Sequence, residues 1–492
     1  VSKTNTLAAN EHDGAFTLAL MYVALPCLIF LLGFVRPMLG LPLAALLAYA
    51  IWQAALPLGW RINWREYVAP LLAAAALVAL VGIFTGHAAY DWIKHWALIN
   101  EIADKPWPVQ VELKGESKYL RFYLAAYLVP ALLHKATGLS TEAATAAWYL
   151  LGFTLLFRLF ASSWLRRPAW VAFAAIVLVL MIGGADALAE HGLHALVERP
   201  FPVWFGVHYE GWATRSFQVG LQFASILTNL AWVPHQSIPV LVAAAMIVND
   251  RGARAVERLV LVYGLMALWS PYGMIGLLPL VLYRALPHWR HAFTLPALSA
   301  VLGGGAFALL SISYLATEMP QAGMCVSCFG ENITQVNSYI PFFLVELLPF
   351  ALVLRRRLWQ DPYCAVAGAT LLLIPMLHGD TLDFTARGSM GPLLVLALRS
   401  AQALLDAPLT RAQQALVALA FALCLPTTVS EVIYHASNGA GQKIVDALKP
   451  PQKRWASKFS RSGDIRAPEF FDECSWDYES QYFITTKPRI LK

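Results

Sequence analysis

Charge is scarce in this sequence. Asp, Glu, Lys and Arg make up 13% of its 492 residues while hydrophobic residues make up 58%, and the mean hydropathy is +0.56. Soluble domains carry about a quarter of charged residues, so this composition excludes an ordinary water-soluble domain. Repeats of solenoid type and low-complexity segments are also missing on reading. The net charge of +6 is spread over loops. It gives no reason to expect nucleic acid, and in an apolar chain such a bias reads first as membrane topology. Cysteine is limited to six residues. Cys27, Cys364 and Cys424 fall in apolar runs, where a thiol behaves as a small core residue. Cys325 and Cys328 form a CxxC that suits a disulfide in an oxidising compartment, a redox pair or half a metal site. The first apolar run, Ala15 to Val35, lacks a strongly basic leader and a small-residue cleavage site, so it is read as a retained span.

What is present is a series of apolar runs from Ala15 to Ile433, each near the ~20 residues that a helix needs to cross a bilayer. Lipid offers free backbone groups no partner, so helices are the expected element. The predicted fold is all-α: a polytopic transmembrane bundle of about 11–13 spans over residues 1–433. Residues 434–492 are read as a small external tail. Clusters of Arg, among them Arg61/Arg65, Arg158/Arg166/Arg167, Arg251/Arg254/Arg258, Arg284/Arg290 and Arg355 to Arg357, mark cytoplasmic ends. That leaves 87–118, 189–235, 316–338 and 378–388 as external loops. Two features are needed for parity: Leu259 to Leu286 turns back at Trp269 to Gly273, and Tyr119 to Lys135 crosses only in part. In the alternative, Phe217 to Val233 also crosses.

Three of the external segments carry ionisable groups. The stretch "AAYDWIKHWALINEIADKPWP" holds Asp91, Lys94 and His95. As a helix it is amphipathic, with Trp92 and Trp96 expected at headgroup depth and Glu101 and Asp104 as interfacial solvation; a plain lipid anchor is the competing reading. Met181 to Pro239 contains Asp186, His208, Glu210, Arg215 and His235 among aromatics. An acid such as Asp186 near a span end needs water or a partner. "HGDTLDFTARGSMGP" places His378, Asp383 and Arg387 at the head of another span. Arg387 can hold a phosphate in a bidentate fork or pair with Asp383.

The acid in "YDWIKHWALINEIADKPWP", followed by "YLRFYLAAYLVPALLHKATG", resembles the GT-C superfamily of polytopic glycosyltransferases. "GGADALAEHG", "HYEGWATRSFQVGLQFASILTNLAWVPHQSIP", "WSPYGMIGLLP" and "LDFTARGSMGPLL" extend the resemblance discontinuously over about residues 85 to 400, to an uncharacterised bacterial branch. The resemblance implies a polyprenyl-phosphate-linked sugar as donor, a glycan, lipid or protein as acceptor, and a site on the periplasmic side of a bacterial inner membrane. Asp91 takes the position of the general base, with His95 beside it. Arg387 and Lys94 become the phosphate-binding groups, and Asp186, His208, Glu210, Arg215, His235, His378 and Asp383 candidate substrate contacts. No paired-acid motif for a divalent metal is apparent, so metal dependence stays open. Three rival readings stand beside this one: a secondary transporter relaying protons through acids and histidines, an undecaprenyl-diphosphate-dependent glycan polymerase or ligase, and a membrane subunit without activity.

Overall fold

The computed structural model describes residues 3–56, 63–83, 92–113, 115–165, 167–196, 208–213, 221–318, 325–326, 333–378, 382–406, 408–440, 466, 483–484 and 487–492. Its helices are α1 (Lys3–Gly33), α2 (Pro37–Ala55), α3 (Arg65–Val81), α4 (Trp92–Asp104), α5 (Ala125–Thr137), α6 (Thr141–Phe160), α7 (Ala169–Met181) and α8 (Asp186–Leu196), then α9 (Ile226–Trp232), α10 (Pro234–Asn249), α11 (Ala255–Leu265), α12 (Pro271–Ala285), α13 (Leu295–Leu315), α14 (Ile333–Leu354), α15 (Pro362–Leu373), α16 (Leu382–Leu405) and α17 (Arg411–Ala440). Among the described residues, seven helices are long and apolar enough to cross a membrane, including Gly14–Gly33, Thr141–Trp164 and Phe384–Leu405. The protein is an all-α, multi-pass membrane bundle.

Packing follows from residue size as well as hydropathy. Every residue of α10 from Pro234 to Val248 is buried, which makes this helix a central post. In α12 and α16, Gly276 and Gly388 lie so close that a methyl at position 276 would collide with the Gly388 backbone. Small residues at such a crossing are the usual means of close helix approach in membranes. Here the crossing fixes the position of Arg387.

The chain reverses at Trp269 to Gly273. The Ser270 Oγ accepts a hydrogen bond from Gly273 N, capping α12. Downstream, Arg284 donates to the Asp250 carbonyl at 3.1 Å, so α11 and α12 begin and end at the same end of the bundle. The turn lies where the sequence predicts it. Between residues 119 and 137 the chain forms a strand and then the 13-residue α5, too short to cross at 1.5 Å per residue. In the alternative span 217–233, residues 221–225 lack regular structure and α9 has only seven residues; residues 217–220 lie outside the described residues.

Ion pairs gather at one end of the bundle. Arg158 meets Glu66, Arg258 meets Asp250 at 2.9 Å, Arg399 meets Asp361 at 3.0 Å and Arg167 meets Asp406 at 3.0 Å. At the opposite end a small antiparallel sheet forms from β1 (Gln110–Leu113), β2 (Glu116–Leu120) and β5 (Phe483–Ile484). Tyr314 donates to the Leu120 carbonyl at 2.8 Å. The last residues return to the α1–α2 junction, where Arg36 N donates to Ile490 O and Lys492 N to Phe34 O. The chain end therefore packs on the bundle, with Leu491 buried.

Candidate functional site

Helix α4 is the first element of the site, and its setting corrects the expectation of an interfacial anchor. Trp92 and Trp96 are each 1% exposed, and every residue from Trp92 to Ala103 except Lys94 is buried. The reason is that α5 packs along α4 and α6 adds a second wall, where Thr141 bonds Asn100 at 2.9 Å. Trp92 Nε1 donates to the Ala231 carbonyl at 3.3 Å, which ties α4 to α9. Glu101 is not solvated either: its side chain is 3% exposed and paired with Lys105 at 2.8 Å. Asp104 is exposed, and meets His134 at 3.6 Å and Arg466 at 2.9 Å.

From α4, His95 points into a polar cluster. Its Nδ1 lies 2.8 Å from the Tyr127 hydroxyl of α5. Its ring centroid is 4.2 Å from that of His235 at the start of α10. Gln236 then reaches His235 Nε2 at 3.2 Å, and Ser270 donates to Gln236 Oε1 at 3.4 Å. Burial holds His95 well below the usual histidine range, and the nearby cations of Lys94 and Arg387 add to this. The ring is neutral at pH 7. Its Nδ1 is engaged by the Tyr127 hydroxyl, while its Nε2 is buried and has no hydrogen-bond partner. Two distant segments thus meet electrostatically at His95, which feels its neighbour Lys94 and Arg387 of α16, with His235 against the imidazole.

A second cluster lies beyond α9. Asp186 heads α8, and Glu346 from α14 faces it across Gly184, where an added methyl would meet both carboxyl groups. Trp212 Nε1 donates to Glu346 at 3.4 Å. Glu431 of α17 is held by His208 at 3.0 Å, His435 at 3.2 Å and the Trp232 indole. Glu210 completes the group: its Oε1 accepts from Ser225 N at 3.0 Å and Thr228 Oγ1 at 2.7 Å, while Oε2 is buried with no hydrogen-bond partner. Burial pushes Glu210 up to about 8, helped by the negative charges of Glu431 and Asp186 and opposed by His208 and the Thr228 hydrogen bond.

The sequence-derived candidates therefore divide. His95 and His235 meet in the first cluster, with Lys94 and Arg387 within electrostatic reach of His95, and Asp186, His208 and Glu210 fall in the second. His378 lies on β4 (Leu377–His378), paired with Cys325 on β3 (Cys325–Val326), and its side chain lies outside the described residues. Asp91, Arg215 and Cys328 lie outside the described residues, as do the side chains of Asp383 and Cys325. Reading the sequence missed Tyr127, Glu346 and Glu431. The last two are single acids inside the apolar runs Pro341 to Leu354 and Ala415 to Ile433, and an intramembrane charge is by itself a signal worth following. Among the described residues no three His, Cys, Asp or Glu side chains come together as metal ligands. Compared with protein-family models, curated proteins and solved structures, the chain matches none.

Proposed function

We propose that the protein is a glycosyltransferase of GT-C type that moves a monosaccharide from a polyprenyl phosphate to an acceptor hydroxyl, on the periplasmic face of a bacterial inner membrane. The observation that carries the reading is a buried, neutral His95 whose Nε2 is free to bond a ligand, within electrostatic reach of Lys94 and Arg387. Asp91 is the residue directly before α4. In the reaction Asp91 takes the proton of the acceptor hydroxyl as its oxygen attacks the anomeric carbon. The bond from that carbon to the phosphate oxygen breaks, and its electron pair leaves with the polyprenyl phosphate, so the configuration inverts. The departing dianion needs positive charge more than it needs a proton, and a fixed guanidinium supplies it at least reorganisation cost. In the tautomer in which Tyr127 donates to Nδ1, neutral His95 offers an Nε2–H to the same oxygens. Asp91→Asn keeps size and removes basicity, so transfer falls by roughly 10²-fold or more while donor binding remains. Arg387→Lys loses the bidentate geometry and much of the donor affinity. Normal transfer by both variants in a reconstituted assay rules the reading out. A diphosphate-linked oligosaccharide accepted in place of the monophosphate donor points to a polymerase or ligase.

The second cluster favours one rival. Asp186 and Glu346 facing each other, with Glu346 and Glu431 on apolar helices, is the chemistry of a proton relay, and glycosyl transfer makes no use of it. Proton-coupled solute flux in liposomes that Glu346→Gln abolishes would establish a transporter.

A further inference from the structure

At the end of the bundle where the arginines gather, far from both clusters, a cavity of about 450 Å³ opens between the start of α11, the last turn of α12 and the first turns of α13. The 3-10 stretch Leu286–Phe293 forms one rim, and none of its residues is buried. Around the mouth the exposed side chains are large and apolar: Leu286 is 60% exposed, Trp289 59% and Phe293 81%. On a bundle that spans a bilayer such a surface meets lipid, and a Trp with a neighbouring Arg290 stacked on its ring at 5.7 Å marks headgroup depth. The cavity thus opens sideways at the level where lipid phosphates lie.

Its polar lining is cationic. Glu257 is its single acid among the lining residues, and Arg254 already engages it at 3.2 Å. Arg284 is bonded to a neutral partner, the backbone carbonyl of Asp250, because the carboxylate of that residue is taken by Arg258. The guanidinium of Arg284 keeps its full charge toward the cavity. His288 and His291 stand together on the rim with ring centroids 6.4 Å apart. Below these groups the walls are apolar, formed by Leu282, Val260 and Val301.

We propose that this cavity is a binding site for an anionic phospholipid, with the phosphate at Arg284, His288 and His291 and an acyl chain along Leu282 and Val301. Basic pockets between helices at the cytoplasmic surface suit such headgroups, and a soluble phosphate would leave the apolar wall unused. The site is independent of the clusters at the other end and of the reaction assigned to them.

The test uses the full chain in nanodiscs of phosphatidylcholine alone, of phosphatidylcholine with phosphatidylglycerol, and of phosphatidylcholine with added inorganic phosphate. Retained lipid is read by native mass spectrometry and protection by the melting temperature. Phosphatidylglycerol should be retained and raise the melting temperature over the other two conditions. Arg284→Gln should lower retention about fivefold, the worth of one cation near a headgroup. Should Arg284→Gln fail to fold, the pair His288→Gln/His291→Gln, on an exposed rim, reads the same loss. Arg290→Gln, whose side chain does not line the cavity, should change retention little. Equal protection by inorganic phosphate, equal retention of both lipids, or an Arg290→Gln loss as large as that of Arg284→Gln overturns the proposal.

Discussion

Glu210→Gln is the perturbation whose effect can be worked out furthest. Glu210 is fully buried, and its carboxyl is pushed from the ordinary 4.5 up to about 8. Because the folded state holds the proton more tightly than the unfolded chain does, the contribution to stability is complete below about pH 4.5. It declines as pH rises and is lost once pH passes about 8. At ~1.4 kcal/mol per pH unit, the full swing is on the order of 5 kcal/mol. Glutamine keeps the oxygen that accepts from Ser225 N and Thr228 Oγ1, and presents an amide toward Glu431 and Asp186 where the acid would ionise. Unfolding of detergent-solubilised protein, followed from pH 5 to pH 8, should therefore show wild type losing stability relative to Glu210→Gln, with the gap widening at each step. Parallel curves for the two proteins would refute the reasoning, because they would mean that Glu210 titrates alike in the folded and unfolded chains.

The remaining predictions concern the scaffold. Arg258 and Asp250 are each 1% exposed and joined by two 2.9 Å bonds, so Arg258→Met alone should cost about 3–5 kcal/mol by stranding the carboxylate, and adding Asp250→Leu should recover most of it; a double variant no better than the single one contradicts this. Gly276→Ala forces α12 away from Gly388 and should lower both the melting temperature and any affinity that depends on Arg387, which a thermal scan and a binding titration read separately. Glu101→Gln should destabilise by about 1–3 kcal/mol as a buried charge partner is lost, whereas Asp104→Asn, exposed at the end of the same helix, should change unfolding by less than about 1 kcal/mol.

Hydropathy made the fold class legible, because lipid leaves a backbone few options. The reversal at Trp269 to Gly273 could also be read, since Ser270 and Pro271 form a capped helix start in the middle of an apolar run. Helix α4 was misjudged for a physical reason. Its pattern of Trp, Lys and Asp is that of a helix half in lipid, and only tertiary neighbours from α5, α6 and α9 show that it is buried. The sequence brought His95, Lys94 and Arg387 forward as separate candidates by their chemistry. It could not tell that His235 joins them while His208 and Glu210, a short distance away in the chain, turn to the acids of α14 and α17. Glu346 and Glu431 went unnoticed because a single carboxylate hardly alters the mean hydropathy of a span. Their burial against Asp186 and His208 is what gives them weight.

The central claim, a polyprenyl phosphate held at Arg387 beside His95, is tested most directly by identifying the lipid that remains with the purified protein. Wild type and Arg387→Ala would be extracted from membranes supplied with a polyprenyl-phosphate-linked sugar, and bound lipid measured by mass spectrometry. Wild type should carry the polyprenyl phosphate, with or without its sugar, and Arg387→Ala should have lost it while retaining bulk phospholipid. Equal amounts of polyprenyl phosphate on both proteins, or none on wild type, would contradict the account.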